Sequence, residues 1–341
     1  MPAHQPVESP DATTVFDYHD LTPPTLADVY AARAVLRRHL PRTPLVRSEP
    51  LSAELDAEVY LKREDTLPTG AFKVRGGLTL VHDLPEEFHE VGLIAASTGN
   101  HGQSVAYAGR AADVPVRIVV PEDANPAKVA AIERYGATVE HHGRDFDAAR
   151  EHAESLAEAE GFRYVHSANE PRLVAGVATA GLEVVEDRPE VDTVLVPVGG
   201  GSGASGYCLT AGRLADARVI GVQSTGADAM HRAYHEGHLD PQPETETFAE
   251  GLATRTPFAV TMGILRDGLA DLVTVEDAAL RRAIYDLLDR EGVLAEGAAA
   301  AGVAGARALA DELAGETVVI QVSGRNLATA NLRGVLDEFG G

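Results

Sequence analysis

Tryptophan is absent from this chain of 341 residues, cysteine occurs once and methionine three times. The single cysteine, Cys208, excludes an intramolecular disulfide, and with no CxxC pair or Cys/His cluster no structural zinc site is expected. Basic charge is scarce: 29 Lys and Arg stand against 52 Asp and Glu, a formal charge of −23. That balance excludes nucleic acid as a partner, because phosphate backbones are bound by cationic surfaces, and it disfavours anionic membranes. Lysine is scarcest of all. Only Lys62, Lys73 and Lys128 are present, and arginine supplies the other 26 cations. An acidic, lysine-poor surface suits a protein that stays soluble in concentrated salt, where self-repulsion is screened. The longest charge-free stretch, Thr193–Gly212, is broken by Pro197 and a series of glycines, so it reads as a buried strand entering a loop and not as a membrane span. Residues 1–20 are polar and acidic, without the basic and apolar segments of a secretory signal. The expectation is a soluble, cytoplasmic protein.

What is present is an ordinary globular composition, 45% hydrophobic and 24% charged, on a chain long enough for one large or two modest domains. Thr25–Leu40 has helical spacing with Thr25 as N-cap. From there short apolar runs (Val59–Leu61, Leu93–Ala96, Arg117–Val120, Thr138–His141, Arg163–His166, Thr193–Val198, Val219–Gln223, Asp271–Val275, Thr317–Val322) alternate with amphipathic stretches. The helix candidates are Gly102–Ala112, Pro126–Tyr135, Phe146–Glu160, Leu173–Asp187, Ala278–Glu291 and Ala298–Leu313. This alternation predicts an α/β fold built on mainly parallel sheet. His238–Thr247 is the one linker-like stretch.

Three loops follow strand candidates and open helices, the edge at which open α/β sheets bind ligands. In Leu67–Gly77, Lys73 lies between Phe72 and Val74. An amine among apolar neighbours loses its proton readily and can act as a nucleophile. A snorkelling helix-start lysine reads equally well from this segment alone. In a chain that has exchanged nearly every lysine for arginine, a retained amine weighs toward covalent chemistry, since arginine cannot form a Schiff base. Ala95–Arg110 brings small and hydroxyl residues from a strand into a helix, either aiming N–H groups at an anion or simply capping the helix. His101 taken singly reads as structural. Val196–Gly206 carries Gly199, Gly200, Gly201 and Gly203 with Ser202 among them, either a phosphate cradle or a tight turn. It lacks the Gly-Lys-Ser/Thr of a P-loop.

Together PTGAFKVRGG around Lys73, STGNHGQ, GGGSG, EGAAA at Glu296–Ala300 and VSGRN at Val322–Asn326 resemble the pyridoxal-phosphate enzymes of the tryptophan-synthase β fold, fold type II. Within them the chain is most similar to threonine/serine dehydratases and serine racemases, from about residue 25 to 330. The resemblance implies two domains, each a largely parallel sheet flanked by helices, with the cofactor in the cleft between them. Residues 1–91 and 168–341 would form the large domain and 92–167 a small, mobile one. Lys73 would bind pyridoxal 5'-phosphate covalently and serve as general base, with Phe72 beside the ring. Asn100 would meet the phenolic oxygen, Gly199, Gly200, Gly201, Ser202 and Gly203 the phosphate, and Ser323 the pyridine nitrogen. Ser97, Thr98, Gly99, Asn100 and His101 would clasp the substrate carboxylate, with Glu296 orienting the substrate. A neutral hydroxyl at the ring nitrogen stabilises a pyridinium less than an aspartate would, which favours β-elimination. The implied reaction is loss of water from L-threonine or L-serine to give a 2-oxo acid and ammonia. Racemisation, β/γ-replacement as in threonine synthesis, and a non-catalytic binding role are the alternatives. A homo-oligomer acting on a small amino acid is expected.

Several positions depart from the family pattern. Thr98 stands where racemases carry a catalytic serine and many dehydratases alanine. The carboxylates that hold a divalent cation in some members match Gln223 and Ala229, so no metal is expected, although Asp228 lies next door. Val74 replaces the aspartate usual in threonine synthases. Arg325 replaces a glycine, and its guanidinium either reads a side-chain carboxylate, as in 3-hydroxyaspartate, or points to solvent. With the chain ending at Gly341, inhibition through the regulatory domain of biosynthetic threonine dehydratases is not expected.

Overall fold

The computed structural model describes residues 21–341 except His238 and Pro243, so the acidic N-terminal segment and two positions of the His238–Thr247 stretch lie outside the described residues. In chain order the strands are β1 (Leu45–Arg47), β2 (Glu58–Arg63), β3 (Leu93–Ala96), β4 (Val116–Val120), β5 (Thr138–His141), β6 (Arg163–Tyr164), β7 (Thr193–Pro197), β8 (Arg218–Ser224), β9 (Asp271–Val275) and β10 (Thr317–Val322). They form a six-stranded sheet of order β1-β2-β10-β7-β8-β9 and a four-stranded sheet of order β5-β4-β3-β6. Only β1 is antiparallel, running Leu45–Arg47 against Lys62–Tyr60 of β2. Each sheet is flanked by helices, as the α/β reading expects.

The apolar runs are continuous because both faces of each sheet are covered. Successive side chains then feed different cores. Leu195 and Ile320 join the cluster with Leu280 and Ile284 on one face, while Val194, Val196 and Val319 join Tyr207 and Leu265 on the other. The smaller sheet divides likewise, with Leu93 and Ala95 on one side and Ile94 and Ala96 on the other.

The first helix is Leu26–Leu36, shorter than Thr25–Leu40, and Thr25 caps it in a capping box with Asp28. β6 ends two residues before the expected His166, and the Ala298–Leu313 helix breaks at Leu309. Val74–His82 and Ser202–Leu209 are helices although their glycines read as loop. The reason is packing. A Cβ on Gly76 would lie 2.5 Å from Leu173 Cγ, one on Gly77 2.5 Å from Ser104 Oγ, and one on Gly206 2.7 Å from Ala178 Cα. These glycines let neighbouring helices touch backbone to backbone.

Helix Val74–His82 is anchored by a buried ion network. Arg75, 1% exposed, donates from Nε to Glu64 Oε2 (2.7 Å) and from Nη1 to Glu183 Oε1 (2.8 Å). Lys62, 0% exposed, donates to Glu183 Oε2 (2.6 Å) and to Thr43 O (2.9 Å). Two cations thus meet two carboxylates. Burial pushes the Glu183 carboxyl up, but Arg75 and Lys62 outweigh it and hold it down at about 2. None of the described helices is long and apolar enough to cross a membrane.

Candidate active site

The expected loops meet at the carboxyl ends of the parallel strands. Gly70–Phe72 lies against the end of β10: Phe72 N–H donates to Ser323 O (3.0 Å), Arg325 N–H donates to Gly70 O (2.9 Å), and Ala71 and Gly324 form an antiparallel bridge. Gly70, at φ +71°, makes the turn that no side chain could share, since a Cβ would sit 2.9 Å from Asn326 Oδ1. This pairing places Lys73 at the start of helix Val74–His82, next in the chain to Phe72, which meets buried Ser323.

The Lys73 amine donates to Ser167 O and to Ser202 Oγ, both at 2.8 Å, and lies 5.4 Å from the Phe72 ring centroid. Neither acceptor is charged. Burial therefore acts unopposed and pulls the amine from 10.5 down to about 8.

Beyond β7, the chain turns through Gly199–Gly203 into helix Ser202–Leu209, with Gly201 at φ +86° as its N-cap. A Cβ on Gly199 would come 2.1 Å from Gly251 O, and one on Gly203 3.3 Å from the Phe72 ring. Gly200 is pressed by Ala168 and Phe258 at 3.1 Å, and its carbonyl accepts from Thr261 Oγ1 (2.7 Å). Bare backbone is required here, and the first N–H groups of a helix have no intrahelical acceptor. They could hold an anion, at an edge that lies against the Phe72 ring.

Beyond β3, Ser97 Oγ accepts from Gly99 N–H (3.1 Å), and nothing lies within 4 Å of a Cβ built on Gly99. Half-buried Thr98 and Gly99 therefore border open space. His101 is buried, and its Nε2 faces Val165 O at 2.9 Å. A carbonyl can only accept, so Nε2 carries the proton and Nδ1, which has no partner, is a bare lone pair. Burial, with Lys73 nearby, lowers this histidine to about 4.

Asn100 opens helix Asn100–Ala112 and crosses to the larger sheet. Its Nδ2 donates to Glu296 Oε1 (2.7 Å), and its Oδ1 accepts from Asn326 Nδ2 (2.6 Å). Burial raises Glu296 to about 7. Glu296 thus bears on Asn100, a contact the sequence does not disclose across 196 positions. Arg325 is exposed, its Cγ and Nε packed over Gly70.

Sequence reasoning missed one loop. After β6, His166 Nδ1 accepts from Ala168 N–H (3.0 Å) and Asn169 N–H (2.8 Å), shaping the turn whose Ser167 carbonyl receives the Lys73 amine. The signal was available: this segment leaves the same strand edge as the other loops. At the positions matched to cation ligands, Gln223 is buried with Oε1 accepting from His231 N–H (2.9 Å), and Asp228 pairs with Arg232 (3.0 Å). Among the described residues no group of three or more His, Cys, Asp or Glu is placed to hold a metal ion.

A family model described as "Pyridoxal-phosphate dependent enzyme" matches residues 36–324. The chain is 36% identical over 304 residues to the L-threonine ammonia-lyase of Thermotoga maritima, covering 89% of this chain and 76% of that protein. It is 33% identical to the L-threo-3-hydroxyaspartate ammonia-lyase of Saccharomyces cerevisiae, over 89% of this chain and 94% of that one. The structure of processed threonine deaminase isoform 2 from Solanum lycopersicum superposes with a TM-score of 0.88 at 29% identity, covering 99% of both chains.

Proposed function

The chain belongs to the pyridoxal-phosphate dependent enzymes, and on that footing we propose that it is an ammonia-lyase converting L-threonine or L-serine to a 2-oxo acid and ammonia. The observation that carries this reading is the Lys73 amine, held by two uncharged acceptors beside a glycine cradle that tolerates no side chain. The residues present fit the cofactor. Lys73 would hold its aldehyde carbon, the Gly199–Gly203 loop with Ser202 its phosphate, Phe72 a ring face, Asn100 its phenolic oxygen and Ser323 its ring nitrogen. Bound there, the cofactor supplies an electron sink for charge left on the substrate α-carbon.

The chain's own groups do the rest. The Lys73 amine, with its lowered proton affinity, takes the α-proton near neutral pH. Ser97–His101 grips the substrate carboxylate with N–H groups at a helix start, the end that favours an anion. His101, neutral by burial, adds no competing charge. Ser323 offers a hydroxyl to the ring nitrogen, which keeps the sink modest and favours elimination.

Residues 92–167 act as the smaller domain in this reading, supported by the four-stranded sheet, all of whose strands fall in that interval. The charge of −23 with three lysines supports work in concentrated salt. The assembly expected is a homo-oligomer, read from its mass in solution.

The test is an amino-acid panel assayed for both 2-oxo acid and D-isomer, including 3-hydroxyaspartate with and without Arg325→Gly. Threonine or serine should yield 2-oxo acid, and Lys73→Ala should abolish both turnover and the visible absorbance of the bound cofactor. D-isomer as the main product, or an unchanged spectrum in Lys73→Ala, overturns the reading. A selective loss of 3-hydroxyaspartate turnover in Arg325→Gly assigns that guanidinium to the substrate side chain; no change retires it to solvent.

A further inference from the structure

The amide orientations around Asn100 are fixed by a backbone group, and this decides what Asn100 can offer a ligand. Asn326 Nδ2 lies 2.9 Å from Thr69 O, which can only accept. That end of Asn326 is therefore the NH2 group, and its other hydrogen goes to Asn100 at 2.6 Å. The Asn100 atom facing it must be the acceptor Oδ1. Nδ2 then faces Glu296 Oε1 at 2.7 Å, and only one of its two hydrogens is used there. The Glu296 carboxyl is held in turn by the backbone N–H of Asn326. Gly324 leaves the space it occupies, since a Cβ there would lie 2.7 Å from Oε1.

We propose that Asn326 and Glu296 are positioning residues that lock the Asn100 amide, so that Asn100 meets the phenolic oxygen of the bound cofactor as an N–H donor and never as an acceptor. A donor favours the ionised oxygen, and a hydrogen bond to a charged group is stronger than one between neutral groups. The same interlock ties the first turn of a helix following β3 to the N-cap of helix Gly297–Ala308 and to the loop after β10. In this arrangement Glu296 acts through Asn100. The inference rests on the cofactor reading above for its consequence, though not for the interlock itself.

The experiment compares Asn326→Ala, Glu296→Ala and Glu296→Gln with the wild type in two measurements. In 15N-labelled, cofactor-free protein, the Asn100 side-chain amide should shift and exchange with water about tenfold faster in Asn326→Ala and Glu296→Ala. Glu296→Gln, which keeps an accepting oxygen, should hold it near the wild-type position. In the loaded protein the two alanine variants should move the cofactor's visible absorption from the ionised toward the neutral phenol form and release the cofactor about tenfold more readily. Glu296→Gln should restore both. Asn326 is exposed, so its truncation leaves the core intact. An Asn100 amide indifferent to Asn326→Ala overturns the interlock. A perturbed amide with an unmoved cofactor spectrum overturns the donor role. Failure of the wild type to take up the cofactor at all defeats the functional reading, while the amide measurement still decides the interlock.

Discussion

Lys73 differs from an ordinary lysine through what is missing around its amine. Ser167 O and Ser202 Oγ accept from it without adding charge, so desolvation sets its affinity for protons and moves it from 10.5 to about 8. The neutral fraction then rises with pH through about 8. In cofactor-free protein, acylation of Lys73 should therefore climb with a midpoint near 8, with mass spectrometry resolving each lysine, and a midpoint near 10.5 would remove the basis for a base active at neutral pH. Lys73 stands out in the sequence because the chain is so poor in lysine. The glycine loop stood out in the sequence as either a cradle or a tight turn, and its close approach to Gly251 and the Phe72 ring was not legible there. The partners of Asn100 were not legible either, since Glu296 and Asn326 reach it across 196 and 226 positions. Nor was the burial of His101, which depends on β6 running beside β3.

At the scale of elements, the helix bearing Lys73 is fixed from below by Arg75, Glu64, Glu183 and Lys62. The charges balance, and removing one leaves an uncompensated ion out of water. Lys62→Met should cost about 3–5 kcal/mol of stability, read as a fall in the denaturation midpoint at unchanged m. Adding Glu183→Gln to it should recover part of the loss, because the stranded charge goes too. A cost below about 1 kcal/mol would mean that water reaches the pair. The helices of this layer were the least legible elements. Gly76, Gly77 and Gly206 look like loop formers, yet each stands where a Cβ would strike a neighbouring element within 2.7 Å. Local propensity is overridden by close packing, which no single segment records. β1 was missed because three residues carry too little pattern.

Across the whole molecule, two opposed electrostatic effects set the response to salt. Lys128–Glu250 and Arg255–Asp147 bridge the block around the smaller sheet to loops of the larger one, and exposed pairs like these weaken when screened. Each contributes at most about 1 kcal/mol. Against them stands the self-repulsion of a net charge of −23. Repulsion should win. The melting temperature should rise by about 5 °C or more between dilute buffer and about 1 M salt, where the screening length shrinks to about 3 Å. A flat or falling trend would place the chain among proteins of ordinary salt tolerance. The α/β class was legible at this scale because covered parallel strands read as unbroken apolar runs, whereas the strand order, with β10 between β2 and β7, was not.

The scarcity of lysine has one more consequence. Lys62 lies within β2, Lys73 at the head of a helix and Lys128 inside helix Pro126–Glu133, with side-chain exposures of 0% for Lys62 and 20% for Lys128. A lysine-specific endoprotease must draw its target into an extended strand, and all three bonds are locked in regular structure or at its edge. The folded enzyme should survive such a protease intact, and each cut should count one molecule that had opened, so that cleavage becomes a meter of transient unfolding.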